Sequence, residues 1–267
     1  MKKNTITGTI WQAAVALFLI LPLVVTATYS FSERWITILP ENLTLKFYQA
    51  RLSDGRFWAG ILRGMAAAAI PVIATNIIML LALFAAIIYF PKTEKYLQVC
   101  CIIPTTINGI ILATSILSSY AGTGTIFSNR IVMLMCAYCI FCLPLTYQGI
   151  RNSLYAVNTK MLLEAAAILG ADEFYGFVRI IVPAILPGLV NTALINFAGL
   201  FGDFAIIKII AASQFETVQT YLYKSRNTDT QSFSAGVVIL LLITMIINIA
   251  VHRNAAGNVQ RGKEENA

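Results

Sequence analysis

The sequence is poor in charge and nearly without histidine, and each shortage closes a class of function. Lys, Arg, Asp and Glu make up 12% of its 267 residues while 58% are hydrophobic, and the mean hydropathy is +0.76. Soluble domains carry about 25% charged residues, so a water-surrounded domain is excluded and the chain reads as an integral membrane protein. The single histidine, His252, cannot build a zinc site of the common kind, and HExxH is absent. No Gly-rich phosphate loop ends in Lys-Ser or Lys-Thr: Gly122-Thr123-Gly124-Thr125 has no lysine after it, so ATP cannot be held in that manner. No G-x-S-x-G elbow occurs. Gly199, Gly202 and Asp203 lack both the spacing and the second intramembrane aspartate of an aspartyl protease. Cys136, Cys139 and Cys142, followed by Pro144, begin like a ferredoxin run but miss its fourth cysteine. Packing of small, readily buried side chains explains them better. No catalytic residue, cofactor, metal or disulfide is therefore expected. The net charge of +7 comes without a basic run interleaved with aromatics, which points to anionic lipid and away from nucleic acid.

What the chain has instead is long apolar runs, at about 10–29, 64–90, 96–120, 131–150, 180–202 and 233–251. Each is near the ~20 residues a helix needs to cross the hydrocarbon. The expected fold is all-α, a polytopic bundle of six transmembrane helices in one domain, 1–267, with both termini on one side. Lys2 and Lys3 before the first run also suit a signal peptide, but the run is long for that and holds Pro22, which favours an uncleaved anchor. The basic residues divide almost evenly between the two sides, and only Lys2, Lys3 and the basic tail favour an inner N-terminus. Between the first two runs, Trp35, Tyr48, Phe57 and Trp58 suit interface anchoring. Pro40 falls in the same segment. In the third run Pro104, Thr105, Thr106 and Asn108 fit either a helix contact or a water-filled path. Beyond the fifth run, the apolar stretch after Asp203 suits a partly re-entrant segment, and His252 a solvated place at the membrane edge.

Residues 151–179 form the outsized loop. Asn158 or Thr159 can cap a helix whose Leu162, Ala165, Ala166 and Leu169 share one face, and Gly170 can stop it. Asp172 offers a second cap, and Phe174, Phe177, Val178 and Ile181 repeat the helical spacing before Pro183 and Pro187, which should break it. The periodicity alone fits surface helices lying on the membrane as well as it fits a docking element. In the fifth run Thr192, Asn196, Gly199 and Asp203 fall at i, i+4, i+7 and i+11, one small or polar stripe. It suits a solute path, with Asn108 as a further lining residue, or close packing with interhelical hydrogen bonds.

The string Glu164-Ala165-Ala166-x3-Gly170-x9-Ile180-x-Val182-Pro183 resembles the EAA loop of ABC-importer permeases with the MetI-like fold. The usual ending is Ile-x-Leu-Pro, and Val182 stands in the leucine position. TYSFSERW, the stretch LTLKFYQARLSDGRFWAGILRGM, and Gly202-Asp203-Phe204 are similar to permeases of the spermidine/putrescine type, whose relatives include iron(III), sulfate and phosphonate importers. The resemblance implies a cytoplasmic coupling helix seated in a cleft of a separate ATPase subunit, with Glu164, Ala165, Ala166, Leu169, Gly170 and Pro183 as the coupling set. It further implies a second permease subunit, identical or related, and an extracytoplasmic solute-binding protein. The place would be a bacterial inner membrane, with both termini cytoplasmic. The implied solute is a polyamine first, with phosphonate or iron(III) behind it. The alternative is a self-sufficient secondary transporter or channel, which would more often show an inverted repeat or interrupted helices with embedded charges.

Overall fold

The computed structural model describes residues 3–34, 41–211, 214–227 and 229–264; Trp35 and Pro40 lie outside them. Its helices are α1 (Lys3–Phe31), α2 (Lys46–Leu52), α3 (Gly55–Ile88), α4 (Glu94–Ile102), α5 (Gly109–Tyr120), α6 (Arg130–Ala156) and α7 (Thr159–Ile168). They continue with α8 (Glu173–Gly176), α9 (Val182–Phe201), α10 (Ala205–Ile210), α11 (Val218–Ser225) and α12 (Thr230–Glu264). A two-stranded hairpin pairs β1 (Ser32–Arg34) with β2 (Glu41–Leu43), Ser32 facing Leu43 and Arg34 facing Glu41. Among the described residues five helices are long and apolar enough to cross a membrane, and a bent pair would make a sixth.

That bent pair covers the expected span 96–120. α4 and α5 meet at 98° across a short break instead of forming one helix. Residues 103–106 tighten into a 3-10 turn, where Thr105 and Thr106 hydroxyls donate back to the Ile102 and Ile103 carbonyls at 2.7 and 2.8 Å. Asn108 then starts α5 by accepting the Ile110 N–H at 2.9 Å. Side-chain bonds of this kind stand in for part of the helical ladder at the break.

The expected break at Pro183 and Pro187 is corrected. Glu173–Phe201 runs as one helical element, with a π-helical turn at Phe177–Ile181 immediately before Pro183. A proline lacks the N–H that would bond the carbonyl four residues back and its ring crowds that carbonyl. The wider π turn makes room for it. Two helices run past their apolar stretches: α3 starts at Gly55 where the run begins at 64, and α6 continues to Ala156 where the run ends at 150.

Two compact units are distinguishable, 1–60 with 221–243, and 61–220 with 244–267. In the smaller, the Arg51 guanidinium is a buried hub. It donates to the Ser232 carbonyl at 3.0 Å, the Tyr221 hydroxyl at 2.9 Å and the Ser225 hydroxyl at 3.2 Å, while Tyr221 donates to Asp54. Burial raises the Asp54 pKa, but the hydrogen bonds from Tyr221 and the backbone, with the Arg51 charge, outweigh it and hold the carboxyl below its ordinary value. Tyr48 stacks on Phe31 at 4.9 Å, Phe57 is fully buried, and the Trp58 indole donates to the Leu52 carbonyl at 2.8 Å.

The larger unit is built on the crossing of α6 and α9. A Cβ added at Gly149 would sit 2.1 Å from the Thr192 hydroxyl, and one at Gly188 equally close to that of Ser153. Small residues at both places let the helix backbones approach. Next to this crossing, Leu83 and Phe84 of α3, Cys101 of α4, Tyr147, Ile150 and Leu154 of α6, and Phe177 share one buried cluster. α10 lies along α5, where Ile206 meets Gly109 at 3.4 Å from a would-be Cβ.

Candidate functional site

The loop that the sequence singles out is a folded corner of the larger unit. α6 delivers the chain to Asn158, whose φ of 49° and ψ of 58° put it in the left-handed region. An N-cap side chain needs an extended backbone at its own residue, so neither proposed cap forms. Asn158 makes no capping bond, and the Thr159 hydroxyl donates backwards to the Leu154 carbonyl at 2.7 Å. That bond fixes the start of α7 to the end of α6.

Gly170 closes the helix. At φ +80° it provides the left-handed residue of a Schellman ending, in which the Ala171 N–H reaches the Ala166 carbonyl at 3.0 Å and the Gly170 N–H the Ala167 carbonyl at 2.9 Å. Asp172 then caps α8, accepting the Phe174 N–H at 3.3 Å.

The face expected to be uniform, Leu162, Ala165, Ala166 and Leu169, is divided. Ala166 is buried with Leu163 and Thr159, and a Cβ on Gly176 would lie 3.1 Å from Leu163 and 3.4 Å from Ala166. Because α7 rests on α8 through Leu163 and Ala166 and Thr159 is tied to the end of α6, its inner stripe is turned by about one residue from the expected one. Leu162 is half-buried, and Glu164, Ala165 and Gly170 are exposed. Ile168 and Leu169 stand out at 86% and 88% exposure. Pro183 is also exposed, on the element that follows. Beside α7 is a cavity of about 260 Å³, bounded by Ile87, Pro91, Lys160, Glu164 and Glu173. A hydrogen bond between Tyr89 and Glu173 crosses the same region, and it pushes the phenol above its ordinary pKa.

The stripe on α9 is pulled apart as well. Asn196 donates to the Thr146 hydroxyl at 3.0 Å in a buried α6–α9 bridge, and Thr192 is buried against Gly149 while donating to the Gly188 carbonyl at 2.9 Å. Gly199 is exposed, with nothing near a would-be Cβ. Asp203 lies past the end of α9. It accepts the Tyr138 hydroxyl at 2.9 Å and the Ile206 and Ile207 N–H groups at 3.1 and 3.4 Å, supplying partners to donors that open a helix. Asn108 is exposed at the bend. The five path candidates therefore do not converge on one surface.

Three residues that sequence reasoning passed over do converge. Glu94, the first residue of α4, accepts the Arg151 Nε at 2.8 Å and the Tyr155 hydroxyl at 3.0 and 2.9 Å. The Arg151 guanidinium lies over the Tyr155 ring at 4.8 Å. Arg151 and Tyr155 are one helical turn apart, the spacing at which side chains meet, and that was the available signal. The acidic partner, 57 residues earlier in the chain, gave none.

Compared with known proteins, residues 78–257 match the family described as binding-protein-dependent transport system inner membrane component. The chain is 22% identical over 260 residues to a putative 2-aminoethylphosphonate transport system permease protein, PhnV, of Salmonella typhi, covering 95% of this chain and 96% of the relative. It is 20% identical over 241 residues to the spermidine/putrescine transport system permease protein PotC of Escherichia coli K12, covering 90% of each. Among solved structures, a chain of the MetNI methionine ABC transporter in inward-facing conformations aligns with a TM-score of 0.60 and 20% identity, over 75% of this chain and 96% of that one. A chain of a bacterial ABC transporter involved in import of the acidic polysaccharide alginate aligns with a TM-score of 0.68 and 16% identity, over 96% of both. These two likenesses show a shared fold.

Proposed function

Because the chain belongs to the family of binding-protein-dependent transport system inner membrane components, the permease subunits of ABC importers, we propose that it couples to a separate ATPase through the outer face of α7. The observation that carries this reading is the exposure of Ile168 and Leu169 beside Glu164 and Ala165 on a helix whose opposite side is already packed. Two large apolar side chains at that exposure suit burial against a protein partner. On this reading Glu164, Ala165, Leu169 and Gly170 touch or shape the docking surface, Ala166 holds α7 to its own chain, and Pro183 sets the exit into α9.

The whole chain, 1–267, then works as one permease domain with cytoplasmic termini, beside a second permease subunit and beneath an extracytoplasmic binding protein. Closure of the ATPases on ATP moves α7, and the bundle alternates between inward- and outward-facing states. The relatives named for 2-aminoethylphosphonate and for spermidine or putrescine share a primary ammonium in their solutes, and a small ammonium-bearing solute is the cargo proposed here. Thermal melting of the cognate binding protein tests it: 2-aminoethylphosphonate or a polyamine should raise the melting temperature, and a rise with iron(III) alone would refute it.

A self-sufficient secondary transporter gains one observation, the interrupted helix at 103–108. The interruption holds Pro104, Thr105, Thr106 and Asn108 and no charge, whereas ion-coupled sites are usually built around embedded ionisable groups. Uptake into liposomes by the purified chain alone, driven by an ion gradient, would reverse the preference.

A further inference from the structure

We propose that the clasp of Glu94 with Arg151 and Tyr155 is a positioning device that carries movement of α7 into the bent pair α4–α5. The inference rests on the coupling reading given above. Its geometric basis is that the clasp joins the first residue of α4 to the last turns of α6, and α6 leads through Asn158 directly into α7. The Thr159 bond to Leu154 makes α6 and α7 move together at that corner.

What lies around the clasp favours transmission over simple support. A cavity of about 190 Å³ separates Pro91 and Glu94 from Leu154, Asn158 and Lys160, so side-chain packing does not fill the space between the start of α4 and the start of α7. Farther along α4, Cys101 is anchored in the buried cluster with Tyr147 and Leu154. α4 is thus held by apolar contacts through Leu97 and Cys101, and the clasp is the polar tie at its first residue, the end that faces α7. The Arg151 and Glu94 side chains are 34% and 17% exposed, and an ion pair partly open to water adds little to stability. Tyr147 stands one turn before Arg151 with its hydroxyl buried and without a hydrogen-bond partner among the described residues. A guanidinium released from Glu94 therefore has a second acceptor on its own helix.

The test uses the assembled transporter in lipid nanodiscs, with spin labels at Met161 on α7 and at Ile110 on α5, both exposed positions. Spectra are recorded with and without ATP and vanadate, which trap the closed ATPase. In the wild-type background both labels should respond to trapping. Glu94→Gln and Arg151→Gln should leave the Met161 response in place and abolish that of Ile110. The charge-exchanged pair, Glu94→Arg with Arg151→Glu, should restore it. An undiminished Ile110 response in both single variants, or failure of the exchanged pair to restore it in an assembled complex, overturns the clasp. A Met161 label that ignores trapping in the wild type refutes the coupling reading itself and takes the clasp with it, so the two failures are distinguishable.

Discussion

The polar side chains on and just beyond α9 find partners within the chain, whereas the α7 corner turns polar and apolar side chains outward. Asn196, Thr192 and Asp203 all find partners within the chain. Glu164 and Ala165 are exposed, and Ile168 and Leu169 keep most of their surface exposed. Polar groups that close on each other in an apolar medium hold a bundle together, whereas apolar groups left in the open invite a partner. Substitutions at Asn196, Thr192 and Asp203 should therefore lose stability, whereas those at the exposed Glu164, Ala165, Ile168 and Leu169 should lose function with stability kept.

The largest loss of stability is expected where the α6–α9 crossing is tightest. Gly149→Ala places a methyl 2.1 Å from the Thr192 hydroxyl. Its melting temperature in detergent should fall by the equivalent of about 3 kcal/mol, the upper range for overpacking. Asp203→Ala comes next, at about 2 kcal/mol, because the Tyr138 hydroxyl and two backbone donors lose their acceptor. Asp203→Asn keeps an acceptor oxygen there and should lose less. If it instead left the melting point intact and weakened uptake of a cationic solute, Asp203 would return to the path. Gly170→Ala should lose about 1 kcal/mol, since an alanine is strained at φ +80°. Asn196→Ala should lose somewhat less, about 0.6 kcal/mol, the average for hydrogen bonds between membrane helices. At the bottom of the order is Glu164→Lys, whose melting temperature should match the wild type within about 0.5 kcal/mol, as for surface changes generally. An Asn196 variant as stable as wild type, or a Glu164 variant that unfolds early, would erase the contrast between the regions.

The apolar runs, the helix stop at Gly170 and the cap at Asp172 were legible in the sequence because each depends on neighbours within a few residues. The bend at 103–108 and the unbroken passage through Pro183 were not. Both stretches carry proline, and which one breaks is decided by what takes over the lost backbone bond: threonine and asparagine side chains at the bend, a π turn before Pro183. Proline marks the place where regular bonding is interrupted, not the way it is repaired. The division of the α7 face was hidden for a related reason. Periodicity grouped Leu162, Ala165, Ala166 and Leu169, but the contact of Leu163 and Ala166 with Gly176 sets the rotation of the helix, and that contact is tertiary. Glu94 escaped notice because its partners are distant in sequence.

The account stands most directly on whether α7 holds a separate ATPase. Purifying the wild-type chain and Glu164→Lys from cells that co-express a cognate ATPase, then measuring the ATPase retained and its solute-stimulated hydrolysis, gives the answer. The account predicts a variant that inserts and melts as the wild type does but loses the ATPase or its stimulation. Full retention of the ATPase with normal stimulated hydrolysis would contradict it.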